Sequence, residues 1–587
     1  MSTLAETRTG TSAQAGSSPT ETKIPRRQLV PTNISHYLLW AGAMIVIVGP
    51  LVPILIASLW STPLYDDAGS FTFANFGRLF SDPSWWTAAR NSVFFATMTT
   101  IGAVVGGTTV AVLVTRTNLP GRTLIGGLLL IPVALPGLVL ILGWSTFWAP
   151  FGYGSTWIEV HTPFSIPFDL YSLVGMAIVC TTLTAPIVFF FVRGVLSSLD
   201  SSLEEAARSA GAGPSRALLT ATVPLLRPAV LNSAVLVFAL SLEVLGLGLV
   251  LGSSANIDLI GTYLYSNWVE KVPADQGLVS AGAVVLLAVV SALLLVRNRL
   301  AGDARRFTTV SGKPKASLTL DLGRAKWGYS AVLLALFGFG LVAPIIAVLL
   351  SAFTRTLSPF VNPFDVLTTT NFELIFSNDL YVQSIVNSLL IALVGAIITA
   401  VVVAVMSLVA HRSNFRFRGS LQQGMLWPRA VPGLVTGMAF FWSFALLDPS
   451  GGLRATLWAM GLAFAVRNVA LAYSAFYPAL AAIGEDMERA ARTSGATWWR
   501  ASIGIVLRLA RPAMIVSFVL LFVAMLNEAD PAVFLVTPDT PVMGLTMLQL
   551  SLTGVGGSVA AFGVIQMVLT ITVLGLGRLL FGVKARV

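Results

Sequence analysis

Twelve stretches of about 20 mostly apolar residues recur along this chain, and no water-soluble fold buries that many. They fall near 37–60, 91–115, 123–148, 170–192, 229–252, 277–296, 327–353, 385–410, 422–447, 455–478, 513–536 and 556–577. A bilayer core about 30 Å thick takes about 20 such residues per helix, so each stretch reads as one span. Only 11% of the 587 residues are charged, against about 25% in an ordinary domain, and the mean hydropathy is +0.82. A soluble enzyme is excluded. Prolines inside 123–148 and 422–447 mark those two spans as bent, and at Pro136-Gly137 and Pro432-Gly433 we expect simple kinks rather than unwound segments.

The polar remainder sets the orientation. Residues 1–35, rich in Ser, Thr, Ala and Gly, lack the apolar stretch of a signal peptide and read as a disordered tail before an uncleaved first span. Alternating the loops places 29 of the 36 Lys and Arg on the side of that tail. Five lie opposite, Arg78, Arg90, Lys271, Arg355 and Arg454, and Arg429 and Arg467 fall inside spans. By the positive-inside rule both termini are cytoplasmic. The net charge of +10 follows from topology, and no nucleic-acid partner is needed to explain it. One cysteine, Cys180, excludes a disulfide framework, and His36, His161 and His411 are too scattered to assign a metal site.

The chain also matches itself. Residues 203–228 and 487–512 share 11 identities in 26 at a shift of 284. At a shift of 296, Asn91-Ser92 matches Asn387-Ser388, Arg116 and Arg122 match Arg412 and Arg418, and the Pro-Val-Ala-Leu-Pro-Gly run at 132–137 matches 428–433. The difference of 12 is absorbed by the longer outer segment 149–169. Six spans per half give both halves the same orientation, so the repeats are parallel rather than inverted. The expected domains are the tail 1–35, a first transmembrane domain 36–296, a charged cytoplasmic linker 297–326 and a second transmembrane domain 327–587.

The repeated loop after the fourth span of each half is the most informative segment. Ser201 and Ser202 precede Glu204 and Glu205 at capping-box spacing, Ala206, Ala207 and Ala210 give a nearly smooth face, and Gly211 to Pro214 ends the helix. Such a helix suits close approach by a groove of another protein, and its recurrence argues against an incidental interfacial loop.

Glu205-Ala206-Ala207, three residues, Gly211, twelve residues and Pro224 resemble the EAA loop of ABC importer permeases. The first copy carries Ala221 and Val223 where that motif has Ile and Leu. The second has Arg489 in place of the motif Glu, Glu488 beside it, then Ala490, Ala491, Gly495, Ile505 and Leu507, with Arg508 in place of the Pro. The resemblance covers nearly the whole chain after residue 35. It is nearest to fused double-length permeases of the ferric-iron type, on stretches 170–176, 196–208, 242–252 and 261–265.

It implies an all-α integral membrane fold of about twelve helices in two six-helix repeats, in a bacterial inner membrane. It also implies two partner ATPase subunits that carry ATP and Mg and dock on Glu204, Glu205, Ala206, Ala207, Gly211, Glu488, Arg489, Ala490, Ala491 and Gly495. An extracytoplasmic solute-binding protein would deliver the solute, with ferric iron expected first and thiamine, aminoethylphosphonate or polyamine as alternatives. This chain has no G-x-x-x-x-G-K-[ST] loop of its own, so it is expected not to be an enzyme.

Polar residues inside spans are candidates for the translocation path: Glu243, Arg467, Asn468, Asn527, Glu528 and Asp530. Carboxylates suit a cation and Arg467 suits an anion. Equally, Arg467 can pair with Glu528 or Asp530 to hold helices together. A gradient-driven transporter with 6+6 parallel repeats explains the topology and the acids but leaves the repeated loop unexplained. An intramembrane enzyme would need a nucleophile-base or metal set, and none has recognisable spacing.

Overall fold

The computed structural model describes residues 34–66, 68–199, 202–300, 320–553 and 556–581, and these are helical apart from turns and isolated bridges. Most of the expected tail and of the expected linker lies outside those residues, although Ile34 and Ser35, placed in the tail, begin the first helix. Among the described residues, nine helical stretches are long and apolar enough to cross a membrane, and twelve are reached when three bent pairs each count as one span.

The long helices recur in matched lengths. Pro83–Arg116 and Asp379–Arg412 each have 34 residues, Leu173–Ser198 and Leu457–Ala482 have 26, and Arg227–Leu242 and Arg511–Leu526 have 16. Their starts use ordinary capping chemistry. Asp82 accepts from the Ser84 N–H and Asn378 from the Leu380 N–H, while Ser172 and Thr456 accept from Gly175 and Ala459.

Each half lends its first span to the other. The Leu51–Ser58 helix packs on Gln276–Leu300 and also on Gly433–Leu447, and Ala343–Phe353 packs on Gly556–Phe581 and also on Gly137–Trp148. At the second crossing a π turn at Gly338–Val342 leaves carbonyls accessible. Trp144 and Trp148 donate their indole N–H groups to the Gly340 and Phe339 oxygens at 3.0 and 2.9 Å.

Two expectations need correction. The Pro136 and Pro432 sites are full breaks, with bends of 106° and 112° between the flanking helices, and not kinks. The residue before a proline is driven out of the helical region. Leu135 has ψ 152° and Val431 ψ 116°, each prolines' ψ is likewise extended, and two consecutive extended residues turn the chain aside. The fifth and eleventh spans also end early, at Leu242 and Leu526 rather than near 252 and 536. Polar Glu243 and Asn527 cap them; past the first the chain leaves the helix for two residues and resumes as a separate turn through Gly248–Gly252, and past the second Pro531 follows.

The repeated Asn-Ser pairs hold the short helices Ile260–Tyr265 and Met543–Leu552. Ser92 Oγ accepts from the Ile260 N–H and Ser388 Oγ from the Met543 N–H, both at 2.8 Å, satisfying first-turn donors that a helix cannot satisfy itself. Asn91 and Asn387 donate to the Asp258 and Pro541 carbonyls at 3.1 and 2.9 Å. Replacing Ser388 by Ala orphans a buried N–H and is expected to cost about 1–3 kcal/mol. A lowered melting temperature in detergent for Ser388→Ala, and none for the exposed Ser377→Ala, is the expected reading.

Candidate functional site

Two sets of side chains stand out, one at the repeated loops and one where the broken ninth span meets the fifth. In the loops, the short helices Ser202–Ser209 and Asp486–Thr493 terminate alike. Gly211 and Gly495 take φ of +89° and +91°, a region that disfavours side chains. The Ala212 and Ala496 N–H groups reach back to the Ala207 and Ala491 oxygens at 3.0 and 3.1 Å, closing a Schellman turn in each copy. Ser201 lies outside the described residues, so the capping box is not seen.

In each loop one acidic position is buried and the next residue, Glu205 or Arg489, faces outward. Glu204 is buried and accepts from Thr222 Oγ1 at 2.6 Å, with Arg116 Nη1 at 3.7 Å. Glu488 is buried in the same manner, accepting from Ser502 Oγ at 3.3 Å beside the charge of Arg412. Arg116 also donates to the Leu196 and Leu199 oxygens at the end of the fourth span, and Arg412 to those of Leu480 and Ile483. Each arginine thus ties the ends of two spans to the helix outside them. Sequence reasoning used these arginines as topological charge and as a mark of the repeat, without assigning them a contact. Glu205, Ala206, Arg489 and Ala490 face outward, with Ala207 and Ala491 half-buried. Arg489 is engaged within its own helix by Glu485 and, at 4.0 Å, Asp486.

Burial holds the Glu488 carboxyl above its ordinary value, opposed by Arg412. The folded protein therefore keeps that proton to higher pH than the unfolded chain, and the associated stability is lost as pH rises from about 4.3 through the raised value. Glu488→Gln is expected to flatten the fall in melting temperature over that window.

The second set gathers around the break at Pro432. Glu243, from the first half, accepts from the Gly433 N–H at 3.1 Å through one oxygen and from Arg467 Nη2 at 3.0 Å through the other. Arg467 also donates to the Val431 oxygen, which the break leaves without a helical partner. Its direct ion pair is therefore with Glu243, across the two halves, and not with Glu528 or Asp530, whose charges act on it without a hydrogen bond. Asp530 lies against Gly433, where a Cβ would come within 2.7 Å of its own Cβ, so only glycine admits it. Asn468 donates to the Phe464 oxygen and, at 3.5 Å, to Glu528. Asn527 accepts from Gln566 at 3.1 Å, a buried partner that sequence reasoning missed.

Five of the six candidates thus converge on one break, and Asn527 faces the last span. Among the described residues no three His, Cys, Asp or Glu side chains have the placement to hold a metal ion. A separate apolar cavity of about 450 Å³ is lined by Leu390, Ile398, Trp458 and Leu462. Arg467→Ala leaves Glu243 buried and uncompensated, an expected loss of about 3–5 kcal/mol that Glu243→Gln in the same chain should partly restore. A double-mutant cycle of melting temperatures reads that coupling.

Comparison with known proteins bears on both sites. The family model described as binding-protein-dependent transport system inner membrane component matches residues 103–306 and 405–581, which contain both loops. A ferric transport system permease protein of Haemophilus influenzae is 26% identical over 490 residues, covering 82% of this chain and 75% of the relative. A ferric transport system permease protein of Actinobacillus pleuropneumoniae is also 26% identical, over 82% of this chain and 69% of its own. The molybdenum transport system permease protein of Escherichia coli is 29% identical over 29% of this chain and 72% of its own.

Proposed function

The chain belongs to the family of binding-protein-dependent transport system inner membrane components, and from that premise we propose that it is the whole membrane-spanning path of an ATP-driven importer. In this reading two parallel six-span repeats, 36–296 and 327–587, are joined by the cytoplasmic linker 297–326, and both termini are cytoplasmic. One separate ATPase subunit, carrying ATP and Mg, sits under each loop helix. A solute-binding protein feeds the opposite face. Ferric iron is the first substrate to test, because the relatives that align along both halves are ferric permeases by name.

The observation that carries the reading is the twofold loop helix, bolted inward by Glu204 or Glu488 and presenting small alanines outward. Motion imposed on such a helix passes through Arg116 or Arg412 to the ends of the second and fourth spans, or of the eighth and tenth. Closure between the halves rests on Glu243 and Arg467, and solute passage requires that contact to open. The carboxylates Glu243, Glu528 and Asp530 would then face a cationic solute.

Ala206→Trp and Ala490→Trp place bulk on the outward faces without touching the buried bolts. Each is expected to reduce co-purification of the co-expressed ATPase, and the double variant to abolish it. Full ATPase binding by the double variant contradicts the docking assignment. If no ATPase binds the unaltered chain while proteoliposomes of it accumulate solute on an imposed ion gradient, the gradient-driven reading replaces this one.

A further inference from the structure

Arg429 has no role in either site, and its surroundings are unusual. It projects from the short turn Trp427–Ala430 that precedes the Pro432 break, with Pro428 and Ala430 on either side buried and its own side chain exposed. The Gln276–Leu300 helix packs against this turn and carries Arg297 near its end. The charges of Arg297 and Arg467 both act on Arg429. Arg467 is already neutralised by Glu243. Arg297 is half-buried, and its Nε is sealed from solvent with no hydrogen-bond partner. Among the described residues no carboxylate forms an ion pair with Arg297 or Arg429, in contrast to Arg116, Arg467 and Arg489, which are all engaged.

Two guanidinium groups that repel each other, one with a buried donor unmet, are an unstable arrangement by themselves. A buried donor without an acceptor is costly, and the repulsion of like charges adds to it. A tetrahedral oxyanion between two planar guanidinium forks offsets the repulsion, since each fork matches two oxygens. The first half has Val133 at the position equivalent to Arg429 by the 296-residue shift, so the pair is not a by-product of the duplication.

We propose that Arg297 and Arg429 form a binding site for a phosphate- or sulfate-like oxyanion group at the tail-side end of the Gln276–Leu300 helix. The site is independent of the coupling loops and of the solute reading. Two sources offer this chemistry, the phosphate of an anionic lipid headgroup and a free inorganic oxyanion. The partly exposed Trp427 beside Arg429 is the kind of side chain found at headgroup depth, which makes the lipid source the first to examine.

The test uses the purified full chain in phosphatidylcholine nanodiscs. One arm titrates inorganic phosphate against chloride at matched ionic strength, and the other replaces part of the phosphatidylcholine with phosphatidylglycerol. Melting temperature is the readout. A saturable rise in either arm, with the apparent affinity weakened at least tenfold in Arg297→Gln/Arg429→Gln and retained in the exposed neighbour variant Arg299→Gln, supports the site and names its source. The double variant loses a repulsion and is expected to fold. Should it not, Arg297→Lys/Arg429→Lys keeps the charges, loses the forks and is expected to weaken the same response. No rise in either arm, or a rise that persists unchanged in the glutamine or lysine pair, overturns the proposal.

Discussion

In hydrocarbon every backbone N–H and C=O must find its partner inside the protein, and a break in a span is tolerated only where other groups supply one. The Pro432 break frees the Val431 oxygen and the Gly433 N–H at once. Arg467 takes the first and Glu243 the second, and the two side chains then neutralise each other. Their charges are thus fixed in the membrane by what they do for the backbone. Because Glu243 belongs to the first half and Arg467 to the second, the same repair holds the halves together. The Trp144 and Trp148 bonds to the π turn answer the same constraint at the other crossing.

The two loops share their inner mechanics while their outer faces differ. The Arg116–Glu204 and Arg412–Glu488 arrangements repeat closely, as do the Schellman turns. Outward, the first loop has Glu205 where the second has Arg489, and Arg489 is engaged by Glu485. The second loop has further support from aromatic packing. Trp498 and Trp499 follow it directly and enclose His36, with ring centroids 4.7 and 5.5 Å away, and Trp499 donates to Ser35 Oγ at 3.1 Å. The first span therefore braces the loop of the other half.

Much of this was legible in the sequence because lipid imposes a length and a hydropathy on each span. The second, fourth, seventh, eighth, tenth and last spans are found where the apolar runs place them, within several residues. The fifth and eleventh were read too long because the apolar runs 244–251 and 532–536 resume just past Glu243 and Asp530, while composition does not show a helix ending at its first acidic or amide residue. The Pro-Gly motifs were visible, but how far a chain turns depends on two successive dihedrals and not on the motif. The loop residues were found through their repetition. The partner of Arg467 was not, since Glu243 lies 224 positions away and only folding brings it near.

The central claim is that one ATPase subunit seats on each of two loop helices held rigidly to the bundle. The only cysteine, Cys180, is buried, so single cysteines introduced at Ala206 and at Ala490 can be addressed separately by a short bifunctional cross-linker. In the assembled complex, a cross-link to the ATPase from each position is the expected result. Full ATPase binding with no cross-link from either position would contradict the account.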